Sequence, residues 1–588
     1  MPSTPELIQT GAGHIQAGRP DLALAPMQAA YAQQPANPEV NRLLGLSLFQ
    51  MGQTQQGLAH MQRAASLAGD RADIQYILGS MLAVLGQLDR AIPVLQHAAE
   101  LDPRHAPARG LLATCFLQLK DLDAAELYYR EAVALDPRYP EARSNLGSVL
   151  QATGRPQEAL EVLRAAAADH PAHVGIQTAY CVSLNYADGV DPAEALAAHA
   201  HYGRVLMALP GQPKADWPNE RNPAKKLRIA VVSPDLFEHS VAYFLRPLLE
   251  HRDRAAVEYV VYSCGPMRDA MTERLMGAAD LWRDGSRLPD PKLLETIRAD
   301  QPDILIELSG HTQGSKLSVL RLRGAPVQAT YIGYPNTTGV PTIDARLVDA
   351  ITDPPGEADR LATERLIRLP GCFLCYSPPD PSPPVAPPPR EANGFITFGS
   401  FNSIKKLTPG TIALWASVLH AVPRSRLVIK SGGLSARSAR GHLAAALKQA
   451  GIPEVRFEIH DKFPAKADHL AAYAAVDIAL DTFPYNGTTT TCEAMWMGVP
   501  VVTLAGGVHA SRVGLSLLTA AGVPDLAAAT PEQFRDTAAG LAGDAVRLRE
   551  LRSGLRARLA ASPLCDAPSF ARGFEAALRA LWTGYCGS

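Results

Sequence analysis

A period of 34 residues runs through the first third of this 588-residue chain. Small residues recur at Gly11, Gly45, Gly79, Ala113 and Gly147, and again at Ala23, Gly57, Ala91, Ala125 and Ala159. Turn formers recur at Pro35, Gly69, Pro103, Pro137 and Pro171. Gly18, Gly52, Gly86 and Gly154 mark an inner turn, and Lys120 fills that place once. The spacing leaves room for two short helices per unit. The small residues let those helices approach closely, and the proline opens the turn into the next unit. A unit of this size cannot bury its apolar face alone and must stack on its neighbours.

The pattern resembles the tetratricopeptide repeat family over about residues 5–174. A worn sixth repeat runs to about 210, where Ala193 keeps the register and DPAEAL reads as a helix start. Two uses are open to such a superhelix. It is a scaffold supporting the rest of the chain, or a concave groove that holds an extended peptide or partner protein. Asn41 and Asn145 fall on first helices, which would line a groove. An Asn amide offers both a donor and an acceptor to a peptide backbone, so both residues are candidate acceptor contacts.

From about 227 the pattern changes to short apolar runs of the kind buried in parallel sheets. LRIAVVS, VEYVVYS, DILIEL, VQATYIG and DARLVDAI supply the strands of one doubly wound lobe. GFITFGSF, RLVIKSG, VRFEIH, VDIALD and VPVVTLAG supply those of a second. Between them lies SPPDPSPPVAPPPR, with eight prolines in fourteen residues, a stiff and extended connector. The expected organisation is repeats over 1–210, a first Rossmann-like lobe over 211–376, the connector over 377–390, and a second Rossmann-like lobe with a C-terminal helix over 391–588. The fold class is therefore α followed by α/β. Two such lobes imply a cleft faced by the carboxyl ends of their strands.

Composition removes several classes. Hydrophobic residues make up 47% and charged residues 19%, which excludes general disorder. Lys plus Arg is 56 against 58 for Asp plus Glu, so no overall basic field marks a nucleic-acid partner. The start, MPSTPELIQTGAGHIQAG, has no basic run leading into an apolar core, and no stretch approaches the roughly 20 apolar residues of a spanning helix. A cytoplasmic protein without a transmembrane segment is expected. Cys372 and Cys375 form a C-x-x-C without a second pair nearby, and read as incidental. No GxGxxG follows the first strand and no P-loop occurs, which disfavours a nicotinamide enzyme or a P-loop ATPase.

Chemistry concentrates at strand ends. In LDTFPYNGTTTTCEAMWMGVPVV a strand ends at Asp481, and a turn leads into four threonines and a helix. The free N–H groups of a first helical turn attract anions. Thr489 and Thr490 add hydroxyls suited to a phosphate, and Glu493 is suited to a ribose hydroxyl. FGSFNSIKKLTP places Lys405 and Lys406 past another strand, where one can reach a diphosphate and stabilise a leaving group. HDKFPAKADH offers Lys466 and His469 to a ribose and base. In the first lobe, PDLFEHSV brings His239 to the cleft mouth, where a histidine can act near neutral pH. LSGHTQG brings His311 and Thr312 to the same cleft. A zinc site would need a third ligand with motif spacing, which is lacking; no metal is expected.

RIAVVSPDLFEHS, ILIELSGHTQG, PVQATYIGYPNTTG, FGSFNSIKKLTP and LDTFPYNGTTTTCEAMWMGVPVVTLAGGVHASRVG together resemble the catalytic region of the O-linked N-acetylglucosamine transferases. That family is two-lobed, of the GT-B type, with repeats upstream. The short connector stands where animal members carry a long inserted domain, so the chain resembles the bacterial form. The resemblance implies an active-site histidine at His239, as base or as a contact near acceptor and sugar. It implies a diphosphate lysine at Lys406, a ribose-side lysine at Lys466 and a phosphate-binding pair at Thr489 and Thr490. Glu493 stands in place of an aspartate that binds ribose hydroxyls. Thr488 replaces a histidine near the uracil, and Ser403 a glutamine near phosphate and sugar.

The chemistry so implied is inverting transfer of N-acetylglucosamine from UDP-GlcNAc to serine or threonine hydroxyls of a protein bound through the repeats, with the UDP-sugar as substrate and no cofactor. Two other readings stand beside it. One is transfer of glucose or another hexose from its UDP-sugar to asparagine or another acceptor, since pocket shape decides donor choice. The other is a non-catalytic repeat scaffold.

Overall fold

The computed structural model describes residues 2–463 and 465–587. Pro464, within the HDKFPAKADH segment, lies outside the described residues, as do Met1 and Ser588 at the outer limits of the expected segments. The chain divides into two compact units, one ending at Val149 and the other beginning at Leu150.

The first unit is a stack of helix pairs. Thr4–Gln16 pairs with Pro20–Gln33, Pro38–Gln50 with Thr54–Leu67, Ala72–Val84 with Leu88–Leu101, and Ala106–Gln118 with Leu122–Leu135. The inner turn of each pair is left-handed, with φ of 68° at Gly18, 81° at Gly52 and 71° at Gly86. Lys120 adopts the same turn at φ 63°, a conformation a side chain tolerates poorly, which is why glycine is the usual occupant. In the second repeat a Cβ on Gly57 would stand 2.7 Å from the Gly45 carbonyl oxygen, so the two helices touch backbone to backbone. A further 34-residue series, absent from the expectations, forms the core: Met27, Met61, Leu95 and Tyr129 are each almost fully buried.

The second unit begins inside the fifth repeat and takes in the sixth along with both lobes. The reason is the sixth helix pair, Val174–Ser183 and Pro192–Met207. Its apolar face is covered by the first lobe, not by a seventh repeat: Cys181, Leu184, Tyr202 and Leu206 share one core with Leu305, Leu317 and Val340.

Two parallel sheets complete the second unit. The first contains β1 (Leu227–Ser233), β2 (Val257–Ser263), β3 (Leu281–Asp284), β4 (Ile304–Glu307), β5 (Val327–Thr330), β6 (Ala345–Asp349) and β7 (Arg365–Leu369), in the order β3-β2-β1-β4-β5-β6-β7. The second contains β8 (Thr397–Ser400), β9 (Arg426–Lys430), β10 (Phe457–His460), β11 (Ile478–Leu480), β12 (Val501–Leu504) and β13 (Ala527–Ala528), in the order β10-β9-β8-β11-β12-β13. The central strands are apolar on both faces because helices cover both. The strands missing from the sequence reading are β3, β7 and β13. All three are edges: LWRD and RLIRL carry charges toward solvent, and β13 is two residues long. The strand order reverses beside β1 and beside β8, and each reversal opens a crevice at the carboxyl ends.

The C-terminal helix, Ala567–Gly587, packs against the first lobe. Its place in the sequence assigns it to the second lobe, but it returns to the first. The Asp253 backbone N–H donates to Glu575 at 3.1 Å, and Trp582 Nε1 donates to the Asn222 carbonyl at 3.0 Å. The proline-rich connector is strapped down, since its backbone offers free carbonyls. Arg552 donates to the Ala386 carbonyl and Arg556 to that of Pro383, each at 2.8 Å. Among the described residues no helix is long and apolar enough to cross a membrane.

Candidate active site

The carboxyl ends of the two sheets enclose a cleft of about 350 Å³. His239, Thr312, Lys406, Thr489 and Thr490 line it, with Tyr186, Asn402, Ser403, Tyr485, Thr488 and His509.

The loop after β11 is built around one buried carboxylate. Asp481 Oδ1 accepts from the backbone N–H of Thr482 at 2.8 Å and of Gly487 at 2.6 Å, and Oδ2 accepts from Thr503 Oγ1 at 2.7 Å. Gly487 is required by close approach: a Cβ there would meet the Thr490 and Thr491 hydroxyls at 2.7 Å. The loop delivers the helix Thr489–Trp496 with its N-terminus at the cleft. The Thr490 hydroxyl donates to Asn402 Oδ1 at 2.9 Å. The Thr489 hydroxyl is buried and has no hydrogen-bond partner. A buried polar group without a partner is costly, and one placed at a helix N-terminus is suited to an anionic ligand.

Lys406 sits on the 3-10 turn Ile404–Lys406 after β8. Its Nζ donates to the Asn486 carbonyl at 2.7 Å and lies 3.8 Å from the centre of the Tyr485 ring. Burial pushes its pKa down to about 8, against the opposing charge of Asp481.

His239 caps the helix Ser240–His251, with its Nδ1 accepting from the Val241 backbone N–H at 3.3 Å. Burial lowers its pKa, although the nearby Asp235 charge opposes this. The ring is therefore neutral at neutral pH. Because Nδ1 is an acceptor here, the ring proton belongs on Nε2. In this tautomer His239 offers a donor, which suits the second of its two expected roles, a contact near acceptor and sugar.

Lys466, His469 and Glu493 come together one helical turn from the threonines, beside the cleft cavity. Lys466 Nζ is 2.5 Å from Glu493 Oε1, and His469 Nε2 is 2.7 Å from Oε2. Lys430, not among the residues expected from sequence, bonds the other ring nitrogen of His469. Burial alone would raise the Glu493 carboxyl, but the His469 hydrogen bond and the Lys466 charge hold it below its usual value. Lys466 also reaches the first lobe, 4.7 Å above the Tyr243 ring.

Two expected substrate contacts are corrected. His311 does not open to the cleft: it is 2% exposed, its Nε2 bonds the Thr338 carbonyl at 2.8 Å, and its ring packs against His199, Tyr202 and Tyr334. The helix pair covering it was not visible as its neighbour in sequence. Asn41 is fully buried in its repeat. Its amide nitrogen donates to the carbonyls of Pro35 and Asn37, and its oxygen meets His60. It fixes the turn between repeats and has no surface for a peptide. Asn145 is half-buried and bonds Tyr129. Thr312 remains at the cleft, its hydroxyl donating to the Ser309 carbonyl at 2.8 Å.

Tyr485, Asn402 and His509 were also missed. Tyr485 was legible only as part of a turn, and His509 lay unremarked in LAGGVHASRVG just past β12. All eight cysteines are free thiols, and among the described residues no group of three His, Cys, Asp or Glu side chains could hold a metal.

Two parallel α/β lobes facing across such a cleft, downstream of helical repeats, define the GT-B class of fold. The profile of glycosyl transferase family 41 matches residues 194–376 and 389–574, and the chain belongs to that family. Tetratricopeptide repeat profiles match residues 42–106, 85–128 and 120–179. The chain is 44% identical over 409 residues to the probable UDP-N-acetylglucosamine–peptide N-acetylglucosaminyltransferase SPINDLY of Solanum lycopersicum, a match covering 69% of this chain and 44% of that protein. It is 43% identical over 410 residues to the protein of the same name from Arabidopsis thaliana, with the same coverage. The chain thus spans under half the length of these curated relatives. A mutant of the Thermobaculum terrenum O-GlcNAc transferase superposes with a TM-score of 0.80 at 36% identity, covering 88% of this chain and 98% of that one.

Proposed function

We propose that this chain is an inverting glycosyltransferase that moves N-acetylglucosamine from UDP-GlcNAc to serine and threonine hydroxyls of proteins. The observation that carries the reading is the pairing of Lys406 and Thr489 in one cleft. The first is a cation with no ion pair among the described residues, and the second is a buried hydroxyl with no partner. Both suit a diphosphate that gains charge as the bond to the sugar breaks.

In this reading the acceptor hydroxyl attacks the anomeric carbon from the face opposite the leaving diphosphate. Lys406, the Thr489 and Thr490 hydroxyls and the first-turn N–H groups stabilise the departing oxygen. The His239 Nε2–H donates to the sugar or acceptor. Lys466, His469 and Glu493 bind the nucleoside end: a ribose would exchange its hydroxyls for part of the ion-paired cluster. The repeat unit binds the protein acceptor with Asn145 as a contact, while Asn41 stays inside its repeat. The short connector favours the bacterial form of the family; the cytoplasm is the proposed place of action. The relatives' names support the donor and acceptor.

The test is calorimetry of UDP and UDP-GlcNAc in the presence of chelator, followed by transfer assays. The assays use peptides and UDP-GlcNAc, UDP-glucose and guanosine-linked sugars. Binding of UDP with transfer from UDP-GlcNAc is expected. A folded protein that binds no nucleotide sinks the site, and transfer from another donor alone sinks the sugar assignment.

A further inference from the structure

Two histidines line the cleft, and their hydrogen bonds place the ring protons oppositely. His239 accepts at Nδ1 and so carries its proton on Nε2. His509 stands on the turn His509–Ser511 after β12, and its Nδ1 lies 2.5 Å from Asp353 Oδ2. Asp353 is 4% exposed and follows β6 in the other lobe, with the Arg346 guanidinium 3.5 Å from its second oxygen. Burial would raise the Asp353 carboxyl, but the His509 ring and the Arg346 charge hold it well below the usual range. An ionised carboxylate only accepts, so the proton between the two belongs to Nδ1. In the neutral ring this tautomer leaves the Nε2 lone pair free. Among the described residues Nε2 has no hydrogen-bond partner, and the ring lines the cleft with Lys406 and Thr489. Phe373 packs edge-on to it at 5.0 Å and fixes the ring plane.

We infer that His509 is the general base of the transfer and that Asp353 is its positioning residue. The inference rests on the function proposed above. The acceptor hydroxyl oxygen forms the new bond to the anomeric carbon, and the bond from that carbon to the diphosphate oxygen breaks, its electron pair leaving with the nucleotide. The hydroxyl proton passes to His509 Nε2. The resulting imidazolium faces the Asp353 carboxylate and returns its proton to water after product release. Since His509 and Asp353 come from different lobes, the base is oriented only when the lobes are together.

The test compares a serine peptide with the same peptide carrying cysteine, using UDP-GlcNAc as donor. Cysteine ionises near pH 8.5 without help, so its thiolate attacks without a base. His509→Gln is expected to lower kcat on the serine peptide by about 10²–10⁴-fold. The loss on the cysteine peptide is much smaller, and the Kd for UDP is unchanged. Asp353→Asn, which disturbs the tautomer and keeps the shape, gives the same ordering with a smaller loss and serves if His509→Gln does not fold. Equal losses on both peptides, or undiminished kcat on serine, overturn the inference while an active unaltered chain keeps the transfer reading. An unaltered chain that turns over no nucleotide sugar overturns both.

Discussion

The Lys406 ammonium is held against the face of Tyr485, 3.8 Å from the ring centre, with the Asn486 carbonyl as its hydrogen-bond acceptor. An aromatic face and a carbonyl steady a cation without cancelling its charge. A carboxylate in contact would neutralise it and compete with an incoming diphosphate. The consequence is a lysine whose protonation is marginal: burial brings it to about 8.

Nucleoside diphosphate binding should therefore weaken as pH rises through about 8. The folded pKa lies below the unfolded value, so the native state disfavours the ammonium, and the cation is complete only below that point. A bound diphosphate favours the ammonium, so binding near pH 8 takes up protons. Calorimetry in two buffers of different ionisation heat measures that uptake. Lys406→Arg keeps its charge at every accessible pH and should flatten the dependence. Lys430, also near 8, remains in that variant and serves as its control. Flat affinity from neutral to alkaline pH in the unaltered chain removes Lys406 from the diphosphate.

Thr489 and Thr490 should separate binding from stability. Thr489→Val removes a buried hydroxyl that has no partner, so the thermal transition should hold or rise. A hydrogen bond to a charged group is worth about 1.5–3 kcal/mol, so UDP affinity should fall roughly 10- to 100-fold. Thr490→Val instead strands Asn402 Oδ1, which accepts that hydroxyl at 2.9 Å, and should lower the transition. If the two variants melt alike and bind alike, the distinction fails.

Glu493→Gln should destabilise the protein at neutral pH and converge with the unaltered chain in acid. The folded pKa of Glu493 is depressed, so its contribution is present above the unfolded value and is lost as pH falls through the folded one. Removing one partner of a buried pair costs about 3–5 kcal/mol; here the figure is lower because Lys466 is 30% exposed. Denaturant unfolding at neutral and acid pH checks this. A constant difference at both would mean the loss is one of shape, not charge.

The repeat period and the central strands were legible because each is a repeated burial requirement written in residue size. Gly45 against Gly57 is a backbone contact that only glycine permits, and β1 is apolar on both faces. The edge strands β3 and β7 were not legible, because one side of each meets solvent. At the site, Lys406 and Thr489 could be read from strand ends and a helix start. His311 could not be placed, because its partner Thr338 lies 27 residues away; Asn41 bonds Pro35 and Asn37 locally, but the His60 that meets its oxygen lies 19 residues away. His509 escaped for the same reason: its meaning lies in Asp353, on the other lobe.

Asn41→Ala should lower the thermal transition and leave the KM for a protein acceptor unchanged. The side chain makes three hydrogen bonds inside its repeat and is fully buried. Stranding the Pro35 carbonyl costs about 1–3 kcal/mol, while the Asn37 carbonyl keeps the Asn41 backbone N–H at 3.2 Å. A raised acceptor KM with unchanged melting would restore Asn41 to the groove.

Gly203→Ala should couple stability to donor binding. Gly203 lies on the second helix of the sixth repeat, Pro192–Met207, and a Cβ there would overlap the Gly339 carbonyl. The obstacle is backbone, so no rotamer change relieves it. Gly339 cannot retreat, because it holds φ 75° and its own Cα faces the His199 carbonyl. The loop ending at Gly339 begins at Gly333 and Pro335, which line the cleft. Overpacking of this kind costs about 1–3 kcal/mol, and the shift it forces passes along that loop to the site. The expected result is a lower thermal transition together with a weaker Kd for UDP-GlcNAc. Gly277→Ala is the matched control: Gly277 is an exposed position of the helix Ala270–Ala278, with nothing within 4 Å of its Cβ. It should leave binding alone and stabilise by roughly 0.5–1 kcal/mol. If Gly203→Ala melts lower but binds donor normally, the sixth repeat supports the fold without shaping the cleft.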